Sequence, residues 1–448
     1  MTLISFRRIT LGLMFLIPVA TNAQQHVNDI NTPLHEMKPD YDTPYRVPVA
    51  DSVKADIDRV LAFIQEAIPG DADGDKLRQG GFRLTSYEMG VLYSACLNAA
   101  SVTGDKAYAD FAEKRLGLIA RLAPKLRGKL AKNRNYDRQM YPVLFPKALD
   151  DCGAMCAAYC QLKMQNGSAA YDDVIANYMG QVNGQLRLGD DRIFGRMRPD
   201  KNSVWLDDMY MGIVPLAWYG CMKGDTQSIG EAVDQIRAFE KRMWVADKQL
   251  FRHGWIEEMT SHPSFFWGRC NGWAILTMCQ VLDAMTQNHE ALRKAGKADY
   301  AGYDTDREYV LRLLRQHVDG LVSLQDKTGF WHQLLDDNST YLETSATTIY
   351  AYCMAHAICE GWIDAKVYGS RTLLAWNAAS TQITGKGQVA NVCVGTGMGF
   401  DKAFYAYRPT HLMAAHGYGP MIWAGSEIMR LLGMYNPKFN DSAILFYE

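Results

Sequence analysis

The sequence predicts an all-α protein, an (α/α)6 toroid in which six helical hairpins close into a ring. Between Asp51 and Leu432, apolar residues mostly recur every third and fourth position, which is the period of an α-helix. Alternation of apolar and polar residues, which is typical of a half-buried strand, is almost missing from this region. Short polar turns follow six apolar stretches, and six turns imply six helical hairpins.

The turns also favour a closed ring over an open stack. Each interval between them is long enough for a helix pair and a loop. A linear stack would leave two ends that need caps, whereas a ring buries its inner helices without ends. An open helical-repeat scaffold is the alternative. The turns are Gly104-Asp105, Gly167-Ser168, Gly224-Asp225, Gln287-Asn288, Gly361 and Gly433.

The apolar stretches predict helices in chain order, with Pro and Gly mostly between them. They are Val53–Ile68, Tyr87–Ala100, Tyr108–Leu122, Leu206–Cys221, Ile229–Trp244, Trp273–Met285, Tyr309–Leu321 and Thr344–Ile358. Loops 125–145, 186–204 and 322–342 are longer and richer in charged and aromatic residues than the opposite turns. We therefore expect the site on the face that these loops form.

The N-terminus predicts an exported protein. Arg7 and Arg8 precede an apolar run that is too short to span a bilayer, and small residues follow it up to Ala23. Residues 1–23 are therefore expected to be a signal peptide, and the mature protein periplasmic or secreted. No cysteine follows the small residues, so no membrane anchor is expected.

The remaining chain is expected to form a Pro-containing extended leader, residues 24–50, and a single helical domain, residues 51–448. The 49 acidic and 47 basic groups exclude a protein that binds nucleic acid through bulk positive charge. The 24 Tyr, 16 Phe and 10 Trp need a large core or a cleft lined by rings.

Ten cysteines give no paired spacing typical of a metal or redox site. Cys152, Cys156 and Cys160 recur every four residues and so share one helix face, where their backbones are too far apart for easy disulfides. Core packing is the favoured interpretation of this stripe, and a three-thiolate metal face is the alternative. No metal and no cofactor are expected.

The first candidate for chemistry is the segment 204–212, Val-Trp-Leu-Asp-Asp-Met-Tyr-Met-Gly. Asp207 and Asp208 precede an apolar stretch, and neighbours on a helix point roughly 100° apart, so at most one is expected to face the ring centre. With Asp207 inward, Met211 and Val214 follow on the same side. Acidic residues that stabilise a helix N-terminus are the alternative.

A second acidic pair, Asp150-Asp151, also lies near a predicted helix start. Two helix starts would bring two carboxylates to one end of the ring. If Asp151 and Asp207 lie close together, their repulsion raises one pKa, so that group holds a proton near neutrality. A carboxylic acid that donates a proton is what glycosidic chemistry requires.

The most specific stretch is 265–273, Phe-Phe-Trp-Gly-Arg-Cys-Asn-Gly-Trp. Trp267 and Trp273 could stack on sugar faces, and Arg269 could hold a carboxylate through two hydrogen bonds. A buried Arg that ties down its own loop is the alternative. Upstream, His253 adds an imidazole beside Trp255, and a lone His is more often structural than catalytic.

Taken together, the segments WLDDMYMG, HGW, FWGRCNGW and YLETSA resemble the unsaturated rhamnogalacturonyl hydrolases, glycoside hydrolase family 105, which are related to the family 88 unsaturated glucuronyl hydrolases. The resemblance covers roughly residues 50 to 435 and implies an (α/α)6 barrel. Its partner would be an oligosaccharide with a terminal 4,5-unsaturated uronate at the nonreducing end, with rhamnogalacturonan fragments favoured.

The resemblance also implies roles for individual residues. The acid/base of the family matches Asp207, and its second aspartate matches Asp151 best, with Asp150 one residue away as the alternative. In this interpretation Asp151 keeps Asp207 protonated, the acid protonates C4 of the double bond, and water adds at C5. The implied sugar-contacting residues are His253, Trp267, Arg269 and Trp273, with Asp208, Trp205 and Trp331 in or beside the same motifs.

Two residues depart from the family pattern. Cys270 stands where a glycine is usual, and Ile256 follows the HGW segment where an acid usually comes directly. Both bear on substrate preference more than on reaction type. The competing functions are an unsaturated uronyl hydrolase acting on ulvan or other polyuronate fragments, an inverting glycosidase, a sugar epimerase, and a noncatalytic glycan-binding helical protein.

Overall fold

The computed structural model describes residues 28, 30–33, 36–37, 41, 43–297, 300–440 and 443–446. The predicted signal peptide, residues 1–23, lies outside the described residues, and the predicted leader, residues 24–50, is described only in part. No helix within the described ranges is both long and apolar enough to cross a membrane.

Fourteen α-helices occupy the described part of the chain. They are α1 Ala50–Ala67, α2 Tyr87–Thr103, α3 Lys106–Lys132, α4 Met140–Leu144, α5 Gly153–Asn166, α6 Asp172–Gly184, α7 Val214–Lys223, α8 Thr226–Met243, α9 Gly268–Lys294, α10 Tyr303–Ser323, α11 Thr344–Cys359, α12 Ala365–Ser380, α13 Lys402–Ala406 and α14 Tyr418–Met434.

Twelve of these helices form two concentric rings. The inner helices are α2, α5, α7, α9, α11 and α14; each packs on the next, and α14 returns to α2 and closes the ring. The outer helices α1, α3, α6, α8, α10 and α12 each pack on an inner helix. The predicted (α/α)6 toroid is confirmed.

Burial follows from a helix's place in the two rings. All 16 residues of α11, an inner helix, are buried. Outer helix α8 instead buries one stripe that includes Ile229, Val233 and Ile236 and exposes its polar side. The sequence of inner helix α11 is therefore apolar on every face, whereas in outer helix α8 the apolar residues recur with the 3.6-residue period of a helix that is buried on one side.

The Gly-Asp turns form as their chemistry predicts. Gly104 and Gly224 end α2 and α7 in the left-handed conformation, with φ of 73° and 67°. The following Asp105 and Asp225 accept hydrogen bonds from backbone N–H groups in the first turns of α3 and α8. One helix is thus stopped and the next started within two residues.

Other predicted boundaries are wrong. Gln287-Asn288 is not a turn, because both residues lie inside α9, which ends at Lys294, and Asn288 is buried. Gly433 lies within the last turn of α14. Helix α3 continues into the predicted loop 125–145, because Leu126 and Leu130 extend its buried stripe.

The region after Asp207 also differs from the predicted helix. Leu206, Asp207 and Asp208 precede the helical region, which opens with a π-helical turn, Met209–Ile213, before α7 begins. A π turn widens the backbone locally and is frequent at functional sites. Three short 3₁₀ segments accompany the α-helices: Leu149–Asp151, Ala169–Tyr171 and Ala415–Gly417.

Short antiparallel strand pairs occupy the loops between the described helices. They are β1 Ala72–Asp73 with β2 Lys76–Leu77, β3 Arg187–Leu188 with β4 Ile193–Phe194, β5 Ser203–Trp205 with β8 Gly254–Ile256, β6 Trp244–Val245 with β7 Leu250–Phe251, β9 Trp331–His332 with β10 Leu342–Glu343, and β11 Lys438–Phe439 with β12 Ile444–Leu445.

Gly153 allows the backbone of α5 to lie close to the backbone of the π turn. A Cβ atom at Gly153 would lie 1.7 Å from the carbonyl oxygen of Met211, so backbone would have to move. We expect Gly153→Ala to lower the free energy of unfolding by about 1–3 kcal/mol, as overpacking does. Urea unfolding followed by circular dichroism measures this.

Gly230, inside α8, is the matched control. An added Cβ there meets no atom within 4 Å. Gly230→Ala is expected to leave the free energy of unfolding unchanged or raise it by up to about 1 kcal/mol, because alanine is the better helix former. Equal unfolding midpoints for the two variants would contradict the packing argument.

Candidate active site

Strand pairing brings two of the predicted segments together. In β5 and β8, Val204 lies opposite Trp255 and Trp205 lies opposite Gly254. The pairing continues past the strands, since the backbone N–H of Leu206 donates to the carbonyl of His253 at 3.0 Å. Asp207, the next residue, is therefore held beside the imidazole.

A hydrogen-bonded chain then runs from Asp207 to Tyr405. Nε2 of His253 lies 3.0 Å from Oδ2 of Asp207, and Nδ1 lies 2.6 Å from the hydroxyl of Tyr405. The backbone N–H of Gly399 donates to that hydroxyl at 3.0 Å. His253 is fully buried, whereas the Asp207 side chain remains 15% exposed. Asp207 is thus fixed from behind and open toward solvent.

This environment sets the pKa of Asp207. Burial acts to raise it, but the hydrogen bond and charge of His253, with the charges of Arg196 and Arg269, leave the pKa of Asp207 below its ordinary value. The direction of this shift argues against the expectation that Asp151 keeps Asp207 protonated in the free protein. The imidazole, not another carboxylate, is the group in contact with Asp207.

The neighbouring carboxylates are joined by Arg196. Its Nε and Nη2 donate to Asp208 at 2.8 and 2.7 Å, and its Nη1 and Nη2 donate to Asp150 at 2.9 and 3.0 Å. The guanidinium also lies over the ring of Trp205, 4.5 Å from its centroid. We call Asp150, Arg196 and Asp208 the arginine clamp.

The clamp holds one carboxylate that water cannot reach. Asp208 is fully buried, whereas the Asp150 side chain is 36% exposed. Burial raises the pKa of Asp208 to about 6, with the charges of Asp150 and Asp207 adding to the rise and Arg196 opposing it. The charges of both carboxylates raise the pKa of Arg196, although its burial opposes this.

Asp150, rather than Asp151, shares a partner with the Asp207-Asp208 pair. The Asp151 carboxylate accepts backbone hydrogen bonds from Lys147 and Ala148 at 2.9 and 3.3 Å, and so caps its own 3₁₀ turn. Burial raises the pKa of Asp151, and these two N–H donors oppose the rise. The geometry therefore favours the alternative residue of the predicted pair.

Both aspartates line an open cavity of about 450 Å³ at this end of the ring. Arg83 and Arg138 are exposed on its wall, and Tyr87 and Glu88 begin α2 there. The cavity thus combines carboxylates with two cationic side chains, next to the arginine clamp.

Arg269 is buried behind Trp267, and its terminal nitrogens bind backbone. Nη1 donates to the carbonyl of Cys393 at 2.7 Å and Nη2 to that of Val394 at 2.8 Å. Glu343 accepts the N–H of Cys393 at 2.8 Å. Arg269 and Glu343 together hold Cys393 and Val394, so this buried arginine has a structural role, although it ties down a distant segment and not its own loop.

The predicted aromatic contacts divide into two groups. Trp205 and Trp267 lie beside His253, with ring centroids 6.0 and 4.9 Å from the imidazole. Their indole N–H groups are buried and have no hydrogen-bond partner among the described residues. Trp205 is half-buried, so part of its ring is open to a sugar, whereas Trp267 is 1% exposed and packs against the imidazole.

Trp273 and Trp331 belong instead to the core. Trp273 is 1% exposed and packs on Tyr210, and Trp331 is fully buried and donates from Nε1 to the carbonyl of Leu321 at 2.7 Å. Neither ring presents a face on which a sugar could stack. Their burial argues against the predicted sugar contact and assigns both rings to packing.

The cysteines are packing residues and form no disulfide in the structure. All ten are free and buried, and Cys270 donates from Sγ to the carbonyl of Trp267 at 3.1 Å. The stripe at Cys152, Cys156 and Cys160 packs in the core, as favoured. Within the described ranges, no three His, Cys, Asp or Glu side chains form a group that could hold a metal ion.

Sequence reasoning missed Tyr405 and the role of Arg196. Tyr405 lies 152 positions from its partner His253, and nothing in the segment Phe404-Tyr405-Ala406 distinguishes it from an ordinary helical tyrosine. Arg196 had a weak signal, because it is a basic residue in the loop directly before two aspartates.

Comparisons with known proteins show the family of the chain. Residues 75–432 match the family model described as Glycosyl Hydrolase Family 88. The unsaturated rhamnogalacturonyl hydrolase YesR of Bacillus subtilis is 25% identical over 51% of the chain, and an unsaturated 3S-rhamnoglycuronyl hydrolase of Formosa agariphila is 23% identical over 45%. The chain spans 60% and 49% of the lengths of these relatives.

A solved structure supports the fold. A possible GH105 member from Klebsiella pneumoniae superimposes with a TM-score of 0.69 at 21% identity, covering 88% of this chain and 97% of that one.

Proposed function

The chain belongs to glycosyl hydrolase family 88, and on that premise we propose that it hydrolyses oligosaccharides that carry a 4,5-unsaturated uronate at the nonreducing end. The observation that carries the proposal is Asp207: one carboxylate, 15% exposed, held by His253, whose imidazole packs between Trp205 and Trp267.

The reaction needs one acid and one water. Asp207 donates a proton to C4 of the C4=C5 double bond, and the hydroxyl of water bonds to C5 while its remaining proton returns to Asp207. The resulting hemiketal opens to a ketone at C5. The glycosidic bond at C1 then breaks, and the leaving sugar departs as an alcohol. One water is consumed, and Asp207 ends as it began.

Substrate binding lets Asp207 take up from solvent the proton that it donates. An anionic sugar brings negative charge and excludes water, and both effects raise the pKa of a nearby carboxyl group. Asp208 stays in the arginine clamp, where both of its carboxylate oxygens accept hydrogen bonds from Arg196, so it serves as a positioning residue for the adjacent Asp207.

The proposal assigns sugar contacts to the groups that are free to make them. Trp205, which is half-buried, can offer part of its ring to the sugar, whereas Trp267 is 1% exposed and supports His253 by packing against it. Arg83 and Arg138, exposed on the cavity wall, are placed to attract a carboxylate. Arg269 acts indirectly, by holding the backbone at Cys393 and Val394 and by adding positive charge near Asp207.

Tyr405 should tune the proton affinity of Asp207. Its hydroxyl holds Nδ1 of His253, and the His253 hydrogen bond lowers the pKa of Asp207. Tyr405→Phe should loosen that bond and raise the pKa of Asp207. Activity falls with rising pH once Asp207 loses its proton, so this limb of the pH–kcat profile should move to higher pH.

We also expect kcat of Tyr405→Phe to fall about threefold to tenfold, the loss expected from one hydrogen bond. Tyr407→Phe, which changes an 86% exposed ring two positions away, is the control and should match the wild type. A lower kcat at every pH with no displacement of the profile would indicate a purely structural role for Tyr405.

We propose rhamnogalacturonan-lyase products as the substrate, because the relative with the higher identity is named an unsaturated rhamnogalacturonyl hydrolase. Ulvan-lyase products are the second candidate, because the other relative is named an unsaturated 3S-rhamnoglycuronyl hydrolase. The conjugated uronate absorbs in the ultraviolet, and hydration removes that absorbance. Parallel assays of the two digests therefore compare the candidates directly.

Saturated oligosaccharides of the same composition test the remaining alternatives. New reducing ends from saturated chains, with no loss of absorbance from either digest, would replace the proposal with an inverting glycosidase. Binding of the digests without turnover, unchanged in Asp207→Asn, would replace it with a noncatalytic glycan-binding protein.

We propose further that the protein is exported, on the basis of residues 1–23. N-terminal sequencing of the protein recovered from a bacterial host should begin at Gln24. An intact N-terminus in the cytoplasmic fraction would contradict export.

A further inference from the structure

A second polar pocket, of about 280 Å³, opens at the end of the ring where α2 and α5 end. The candidate active site lies at the opposite end, where the same helices begin. Ser101, Gln165 and Gln287 are exposed at the mouth of the pocket, and Ser94 and Gln280 are buried in its wall. The proposed reaction uses none of these residues.

Three polar atoms in this pocket have no protein partner. They are Oγ of Ser94, Nδ2 of Asn98 and Oε1 of Gln161, all buried. Ser94 is only 2% exposed. A buried polar group left without a hydrogen bond is costly, so the occupant of the pocket must be polar and must both donate and accept hydrogen bonds.

The rest of the wall is rigid and aromatic. Oε1 of Gln280 accepts from Nε1 of Trp218 at 2.9 Å and from Nε2 of Gln161 at 3.1 Å, which fixes the three side chains to one another. Trp423 stacks on Tyr352 with ring centroids 5.1 Å apart. Two fixed indoles beside several amides combine the apolar faces and hydrogen-bonding groups that a sugar ring needs.

Charge argues against an anionic occupant. Asp283 is the one ionisable side chain in the described lining, and its carboxylate lies 2.9 Å from Nε2 of His356. Helix carboxyl ends, which carry partial negative charge, also point toward this end of the ring. A neutral ligand rich in hydroxyl groups fits these conditions, whereas a uronate does not.

We propose that this pocket is a second carbohydrate site, which binds a single neutral sugar ring independently of the catalytic cleft. Its volume suits one ring rather than a chain, and its free groups include both donors and an acceptor. The ligand class therefore differs from the anionic sugar that the proposed reaction uses.

Calorimetric titration of the full-length protein tests the proposal. The ligands are L-rhamnose, D-galactose and D-glucose, and D-galacturonate is the anionic control. At least one neutral sugar should bind with a millimolar Kd and change the fluorescence of the tryptophans, and D-galacturonate should not bind at this site. Asn98→Leu, which fills the pocket and removes an unpartnered amide, should weaken binding at least tenfold and leave kcat unchanged.

Ser94→Ala provides a second variant, because it removes a buried hydroxyl that has no partner and so should not disturb folding. It should weaken binding severalfold. Asp207→Asn, at the other end of the ring, should bind the neutral sugar as the wild type does. Binding lost in Asp207→Asn but kept in Asn98→Leu would place the sugar in the catalytic cleft and overturn the proposal. Absence of binding by all three neutral sugars would also overturn the proposal.

Discussion

Asp207→Asn is expected to lower kcat by about 100- to 10,000-fold, the range attributed to general acid catalysis. The amide cannot donate a proton to C4, but its carbonyl oxygen can still accept the hydrogen bond from Nε2 of His253. The site geometry should therefore survive, and KM should change little. Loss of ultraviolet absorbance with a lyase digest measures both constants.

Asp247→Asn is the matched control, because Asp247 is exposed in the turn between β6 and β7. It should have wild-type activity, and both variants should unfold at the wild-type urea midpoint. If Asp207→Asn kept more than a tenth of wild-type activity while Asp150→Asn or Asp151→Asn was inactive, the proton donor would be the other carboxylate.

Arg196→Met should produce the largest loss of stability, about 3–5 kcal/mol, because it leaves the buried carboxylate of Asp208 without its partner. Methionine keeps much of the side-chain volume, so the loss reports the uncompensated charge rather than a cavity. Activity should fall as well, since the clamp positions the residue next to Asp207. Urea unfolding measures the first effect and the absorbance assay the second.

The loss of stability should depend on pH in a defined direction. The pKa of Asp208 is about 6 in the folded protein against an ordinary value of 3.8, so the folded state binds this proton more tightly than the unfolded state does. The contribution of Asp208 to the free energy of unfolding therefore falls as the pH rises from 3.8 to about 6. Without Arg196 the folded pKa rises further, and the destabilisation should be smaller near pH 5 than near pH 8.

Arg242→Met is the control for the arginine clamp. Arg242 also binds one aspartate through two hydrogen bonds, both 2.7 Å, but that partner, Asp191, is 27% exposed and can be hydrated when the arginine is lost. The cost should be about 1 kcal/mol or less. Asp208→Asn in the Arg196→Met background should recover part of the stability. Equal losses in the two single variants would contradict the burial argument.

Local patterns predicted the ring well, because they act over short stretches of chain. Apolar spacing defines which helix face is buried, and Gly104-Asp105 stops one helix and starts the next through contacts within a few residues. The same reasoning failed at Gln287-Asn288, where a polar pair looked like a turn. Burial of Asn288 within α9 overrides that local preference.

The candidate site was predicted in part. The motifs at Asp207, His253 and Trp267 do meet at one end of the ring. The sequence could not predict which of the adjacent residues Asp150 and Asp151 binds Arg196. Their side chains point in different directions, and only the fold decides which of them faces the arginine. Asp151 is occupied by its own turn, and that choice depends on where the 186–204 loop places the arginine.

The sequence by itself therefore determined the helical ring, the residues with the chemistry of a glycosidase and the end of the helices at which they lie. Only the tertiary structure decided which of them touch. Arg269 binds the backbone at Cys393 and Val394, and His253 is held by Tyr405, both across more than a hundred residues. Such pairs form when the ring closes, because closure brings together loops that no local pattern connects.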